Sequence, residues 1–177
     1  RRQRQMCIRD RALLRVQVPR FHRDTLPHRR AGLRKEGLQQ VGCGGIGNAH
    51  ATGYERLDNV KMVAVVDPHE GARQTYQQQY DIPKGYATVE EMLDAEKPDI
   101  VSICPWHLLH APLTVSVARS GVKGIICEKP MAIGSGEADR MIEACEASGT
   151  KPVTSHQRRF TPGWIKARDL VAEGAIG

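Results

Sequence analysis

Val41-Gly42-Cys43-Gly44-Gly45-Ile46-Gly47 is the stretch that decides the fold. A G-x-G-x-x-G that closes a strand and opens a helix uses its first glycine for a tight turn. Its second lets backbone approach a pyrophosphate, and its third permits close helix–strand packing. The free N–H groups of that helix start then face the phosphate charge. Glycine turns are common, so the pattern takes its meaning from the next strand and the residue that ends it. The apolar run Val60-Lys61-Met62-Val63-Ala64-Val65-Val66 ends in Asp67, 20 residues beyond Gly47. That interval matches the ~20 residues that bring a carboxylate to the adenosine ribose hydroxyls. Gly42, Gly44, Gly45, Ile46, Gly47 and Asp67 are therefore the candidate dinucleotide-binding residues.

Beyond Val41 the chain alternates strand-like and helix-like segments at βαβ intervals. The pattern predicts a helix from about Ile46 to Leu57, then the strand at 60–66. Ala72, Tyr76 and Tyr80 stand at i, i+4 and i+8 on one helical face. A short strand near Tyr86 and a helix around Val89–Ala95 come next. Asp99-Ile100-Val101-Ser102-Ile103-Cys104 reads as a buried strand, followed by a helix from about Ala111 to Ser120 that Gly121 ends. Lys123-Gly124-Ile125-Ile126-Cys127-Glu128 is a fifth strand. Ala138, Met141, Ile142 and Cys145 mark the inward face of a helix capped by Gly149. A sixth strand near Pro152–His156 completes an α/β fold, a doubly wound parallel sheet with helices on both faces. The first strand, Gly37-Leu38-Gln39-Gln40-Val41, departs from expectation, since a central parallel strand should be a nearly continuous apolar run. Two glutamines there are hard to satisfy.

Ligands of such sheets sit outside the carboxyl ends of the strands. The chemistry-bearing residues fall at those ends: the glycine loop after the first strand, Asp67 after the second, Pro105-Trp106-His107 after the fourth and Glu128-Lys129-Pro130 after the fifth. Pro130 biases Lys129 toward extended backbone, so the lysine continues past the strand into the crevice. His107 and His110 invite a metal reading, but no carboxylate or cysteine set at ligand spacing accompanies them. For His110 the plainer role is at a helix start. Asp67 is followed by Pro68-His69 with no arginine directly after it, which favours NAD over NADP, because a carboxylate repels a 2′-phosphate.

Taken together, Val41–Ala51, Ala64-Val65-Val66-Asp67, His110-Ala111-Pro112, Cys127-Glu128-Lys129-Pro130-Met131-Ala132 and Arg159-Phe160-Thr161-Pro162 resemble the Gfo/Idh/MocA oxidoreductases over roughly residues 38 to 177. Glu-Lys-Pro-Met-Ala is the most specific element, since a generic nucleotide fold has no need for it. The resemblance implies a Rossmann domain followed by a mixed α/β domain carrying a large open sheet. It implies that Lys129 lies beside the nicotinamide and the substrate hydroxyl and is the catalytic residue, in hydride transfer between NAD and a sugar, cyclitol or related polyol. Pro105, Trp106, His110, Glu128, Lys129 and Pro130 join the cofactor set on the same ground. A lysine near ~10.4 is a poor base at neutral pH, so such a role needs desolvation or a neighbouring cation. Glu128 would orient the loop or contact the ribose. Where the family usually has Thr-Pro or Ser-Pro, this chain has Pro105-Trp106, and Trp106 would either pack on the nicotinamide or cover the pocket mouth. The Asp-x-x-x-His pair that usually completes catalysis is not matched, so the chain reads as a cofactor domain with only the start of a substrate domain. The expected divisions are 1–37, a basic disordered or artefactual segment; 38–157, the Rossmann domain; and 158–177, the start of the second domain. A homo-oligomer through the second domain's sheet is expected of the whole protein.

The chain of 177 residues has a formal charge of +6, and its distribution removes any simple nucleic-acid argument. Residues 1–38 hold 12 Lys/Arg against 3 Asp/Glu, whereas residues 39–177 hold 14 against 17. The basic arm lacks periodicity, and Met6-Cys7-Ile8-Arg9-Asp10-Arg11 resembles translated adapter sequence. A nucleic-acid role through this arm is the weaker alternative. A nucleotide-sensing regulator without turnover is the nearer one, and retention of Lys129 favours the enzyme. Five cysteines without a C-x-x-C pair read as reduced thiols of a cytoplasmic protein. No apolar run reaches the ~18 residues of a membrane span, and Arg9, Asp10, Arg11 and Arg15 interrupt the region that would follow a twin-arginine signal.

Overall fold

The computed structural model describes residues 36–176, so the basic arm lies outside the described residues up to position 35. The elements are β1 (Glu36–Val41), α1 (Gly45–Tyr54), β2 (Val60–Val66), α2 (Glu70–Tyr80), β3 (Lys84–Tyr86), α3 (Val89–Ala95) and β4 (Ile100–Ile103). Next come α4 (His110–Arg119), β5 (Gly124–Glu128), α5 (Ser135–Ser148), β6 (Lys151–Ser155) and α6 (Pro162–Ala172), with short 3-10 turns at His107–Leu109 and Gln157–Phe160. The strands form one sheet in the order β3-β2-β1-β4-β5-β6, and every pairing is parallel. The order reverses between β1 and β4, which makes the carboxyl ends of those strands the natural ligand crevice.

Each face of the sheet has its own apolar cluster. Leu38, Met62 and Val65 pack with Ala51 of α1 and with Tyr76 and Tyr80 of α2. Val41, Val66, Val101, Ile103, Ile125 and Cys127 pack with residues of α3, α4 and α5, including Met92, Val117, Met141 and Cys145. The helical periodicities thus lead to the correct faces. Helix starts and stops obey ordinary capping chemistry. At α3, Thr88 Oγ1 accepts from Glu91 N–H (3.2 Å) while Glu91 Oε2 accepts from Thr88 N–H (3.3 Å). Gly149 ends α5 at φ 74°, in the left-handed region that favours glycine. The first helix stops at Tyr54, three residues short of the expected end. Leu57 stays exposed there, so no apolar contact extends the helix.

The glutamines of β1 are buried. Gln39 and Gln40 are 2% and 0% exposed, on a strand flanked by β2 and β4, and both side-chain carbonyl oxygens lack a partner. Gln40 Nε2 donates a long hydrogen bond to Gly42 O (3.4 Å). Alternation along β1 puts Gln39 on the face of Val41, within the larger apolar cluster. An unpaired buried acceptor costs about 1–3 kcal/mol, whereas an apolar group of similar shape costs nothing in lost hydration. Gln39→Leu is therefore expected to raise stability by about 1 kcal/mol and the melting temperature by about 3 °C, measured by thermal unfolding.

Candidate functional site

The glycine loop is shaped by contacts no other residue could make. Gly42 adopts φ 94°, and a Cβ there would stand 3.0 Å from the backbone of Cys104 and Pro105. A Cβ on Gly47 would lie 2.3 Å from Gly42 O, so helix α1 rests directly on the turn that ends β1. Tyr76 of α2 locks this approach by donating to Gly47 O (2.7 Å). Gly44 and Gly45 differ: a Cβ on either would meet nothing within 4 Å. The space over the start of α1 is open, its N-cap Gly44 supplies no side-chain hydrogen bond, and no acidic residue occupies its first turn. Open approach, unspent N–H groups and the positive end of a helix fit a dinucleotide pyrophosphate.

Asp67 is aimed at the same loop. Its Oδ2 accepts from Cys43 N–H (2.9 Å) and its Oδ1 from His69 N–H (3.0 Å), which fixes the carboxylate at the end of β2 beside the glycine turn. Lone pairs remain on each oxygen for ribose hydroxyls. Arg73, one turn into α2, reaches back to donate to the carbonyl oxygens of Asp67 (2.6 Å) and Pro68 (3.2 Å). Sequence spacing hid this arginine, since it acts from six residues downstream.

The β4 and β5 loops meet through His110. Its ring is buried at the start of α4, with Nδ1 2.7 Å from Pro130 O and Nε2 3.2 Å from Pro105 O. The buried imidazole thus bridges the two loops. His107 instead packs edge-on against Trp106, ring centroids 5.3 Å apart, and the two histidines do not converge. Trp106 is 66% exposed at the crevice rim.

Lys129 is exposed just past the end of β5, and its peptide bond to Pro130 is cis. It lines an open cavity of about 420 Å³ with His156, Gln157, Arg158, Arg159 and Trp164. The preceding residue behaves oppositely. Glu128 is buried, and its Oε1 lies 2.9 Å from His50 Nε2 and accepts from Gln157 Nε2 (3.3 Å), while its Oε2 accepts from Lys129 N–H (3.1 Å). Behind it, His50 Nδ1 lies 3.1 Å from both Tyr54 Oη and Ser102 Oγ. Burial alone would push the Glu128 carboxyl up, but hydrogen bonds from Ser155, His50 and Lys129 N–H outweigh it and hold the group below the ordinary value of 4.5. Motif spacing alone does not single out His50. Its position three residues after Gly47, on the helix face that meets the sheet, was the available signal.

A parallel sheet with this strand order, a glycine-lined helix start at the switch point and an acidic residue ending β2 defines a dinucleotide-binding α/β protein. Residues 40–156 match the model of the Gfo/Idh/MocA oxidoreductase family, NAD-binding Rossmann fold, and the chain belongs to that family. Myo-inositol 2-dehydrogenase of Thermotoga maritima is 28% identical over 137 residues, a match covering 77% of this chain and 41% of that protein. D-apiose dehydrogenase of Paraburkholderia graminis is 29% identical over 137 residues, covering 77% and 36%. The chain thus spans about two fifths of the length of these relatives. Among solved structures, the WlbA dehydrogenase of Bordetella pertussis, in complex with NADH and UDP-GlcNAcA, superposes with a TM-score of 0.77 at 24% identity, over 81% of this chain and 44% of that one. The myo-inositol 2-dehydrogenase of Lactobacillus plantarum gives 0.75 at 22%, over 81% and 43%. These two structures share the fold.

The Glu128 network has a pH signature. A carboxyl whose folded pKa lies below its unfolded one adds stability that is complete above the ordinary carboxylate range. That stability is lost as pH falls through the depressed folded value. Glu128→Gln should therefore be less stable than the parent by a constant margin above pH ~5, and the margin should shrink below pH ~4, in denaturant titrations across pH.

Proposed function

We propose that residues 38–157 form the NAD-binding part of a dehydrogenase that acts on a hydroxyl-bearing carbon of a sugar, cyclitol or related polyol. Residues 158–177 then lead into its substrate domain. The observation that carries this reading is the placement of Lys129. It leaves β5 on the sheet edge that also holds the glycine loop, with its backbone tied to the buried Glu128 carboxylate. When bound, NAD supplies the acceptor for a hydride from the substrate carbon. Lys129 Nζ would hold the substrate oxygen as its proton departs, which is the group a CH–OH oxidation must stabilise. The network of Glu128, His50 and Gln157 would keep the lysine loop in register, and His110 would fix the neighbouring Pro105 turn against it.

Asp67 supports NAD over NADP, since its carboxylate points at the loop while Arg73 Nη1 is engaged by the carbonyl oxygens of Asp67 and Pro68. Ile46, Trp106 and Pro130 would contribute apolar contact to the cofactor at the same edge. A cytoplasmic setting agrees with Cys43, Cys104, Cys127 and Cys145 being unpaired. Among the described residues no helix is long and apolar enough to cross a membrane. A homo-oligomer belongs to the same reading of the whole protein.

Titration of NADH against the chain, followed by cofactor fluorescence, tests the reading. Saturable binding should favour NADH over NADPH at least tenfold, and Asp67→Ala should weaken NADH by about tenfold, roughly 1.4 kcal/mol, while narrowing the preference. Equal affinity for both nucleotides, or none by a folded protein, would sink it.

A further inference from the structure

Arg73 stands beside the ribose carboxylate, and the cofactor reading leaves its charge without a task. It lies in the first turn of α2, on the helical face that Tyr76 and Tyr80 continue. Those tyrosines donate to Gly47 O (2.7 Å) and Asn48 Oδ1 (2.9 Å), so this face of α2 meets the glycine loop and the start of α1. Because α2 begins directly after β2, its first turn sits at the carboxyl edge of the sheet, where ligands bind.

Two observations fix the guanidinium there. Nη1 donates to the carbonyl oxygens of Asp67 (2.6 Å) and Pro68 (3.2 Å), the residue that carries the carboxylate and the one after it. Its charge also reaches Cys43 in the loop: burial and then the charge of Asp67 push that thiol up to about 12, and Arg73 acts against them. Cys43 N–H is itself a donor to Asp67 Oδ2 (2.9 Å), so cation and carboxylate share one corner of the site. A guanidinium has five N–H donors in one plane. Among the described residues no carboxylate pairs with Arg73, and nothing accepts from its Nε or Nη2. Glu70, earlier in the same turn, is engaged by Gln74 Nε2 (3.0 Å).

The two charges act oppositely on the group that distinguishes the nicotinamide dinucleotides. A carboxylate accepts from a ribose 2′-hydroxyl and repels a 2′-phosphate, whereas an arginine nearby accommodates the phosphate. The planar fork of a guanidinium suits phosphate oxygens in particular. The cofactor's pyrophosphate belongs at the N–H groups of α1. Arg73 is tied instead to the backbone of the ribose-binding residue. This corner also lies far from the segment that follows the sixth strand, since four strand spacings, roughly 19 Å, separate β2 from β6.

We infer that Arg73 is a specificity-determining residue of the dinucleotide site: it supplies the cation for a 2′-phosphate, and the carboxylate of Asp67 alone holds the preference for NAD. This rests on the reading of the glycine loop as that site. NADH and NADPH, which differ only in the 2′-phosphate, are titrated by cofactor fluorescence against the chain, Asp67→Ser, Arg73→Gln and the double variant. Each protein is first checked for an unchanged melting temperature, and Arg73→Met replaces Arg73→Gln if the latter melts earlier. Arg73→Gln should weaken NADPH by about fivefold or more and leave NADH within about twofold. Asp67→Ser should bind NADPH about tenfold tighter than the parent, and adding Arg73→Gln should remove most of that gain. The gain should shrink as salt rises from about 50 to about 300 mM. An arginine that only braces the end of β2 would lower both nucleotides in equal proportion. That result, or an NADPH gain in Asp67→Ser that survives the loss of Arg73, would overturn the inference while the cofactor reading stands. No NADH binding by the folded parent would overturn the cofactor reading itself, and the inference with it.

Discussion

The structure depends on one close approach, helix α1 resting on the carbonyl of Gly42 through Gly47. A single methyl group at Gly47 would fall 2.3 Å from that oxygen, so the helix sits at a depth only glycine allows. That depth sets two things at once. It brings the first turn of α1 over the switch point between β1 and β4, where unpaired N–H groups and the helix dipole act together. It also lowers the same helix face onto the sheet one and two turns later, where His50 and Tyr54 reach Ser102 of β4 and His50 reaches Glu128 of β5. The phosphate-facing end and the lysine loop are therefore held by one helix.

Glu128 is the point at which this restraint reaches the lysine loop. A buried carboxylate without partners would be costly, and here it is met by groups from α1, from the β5 loop and from the turn after β6. Such a network is worth having only when every member is satisfied, because the low dielectric that strengthens each bond also penalises each vacancy. Its burial explains how two adjacent residues take opposite tasks. Glu128 faces inward and fixes the backbone, while Lys129 faces the cavity.

Much of the fold was legible because period and spacing carry it. The apolar patterning located all six strands, the tyrosines at i+4 and i+8 of α2 reach the core, and the glycine and aspartate spacing located the loop and Asp67. What stayed hidden depends on contacts between elements far apart in sequence. The inward turn of Glu128 results from His50, 78 residues earlier, and the role of His110 from carbonyls on two loops that only folding brings together. Arg73 was missed because a long side chain one helical turn on reaches back to the end of β2. The glutamines of β1 were recognisable as a difficulty, but whether they would be buried or displaced was a matter of their neighbours in the sheet.

Charge is sorted along the carboxyl edge of the sheet, and the thiols sharpen the sorting by staying out of it. Cys43 lies inside the glycine loop, where a thiolate would repel phosphate. Burial, and then the charge of Asp67, pushes its thiol up to about 12, so it stays neutral while its backbone N–H serves the carboxylate. Burial likewise raises Cys104 to about 11 and Cys127 to about 12, which leaves them as packing groups. The edge then runs from a carboxylate at β2, through neutral backbone donors at β1, to the basic side chains of Lys129, Arg158 and Arg159 beyond β5 and β6. A ligand that spans it must bring hydroxyls to the first region and negative charge to the second.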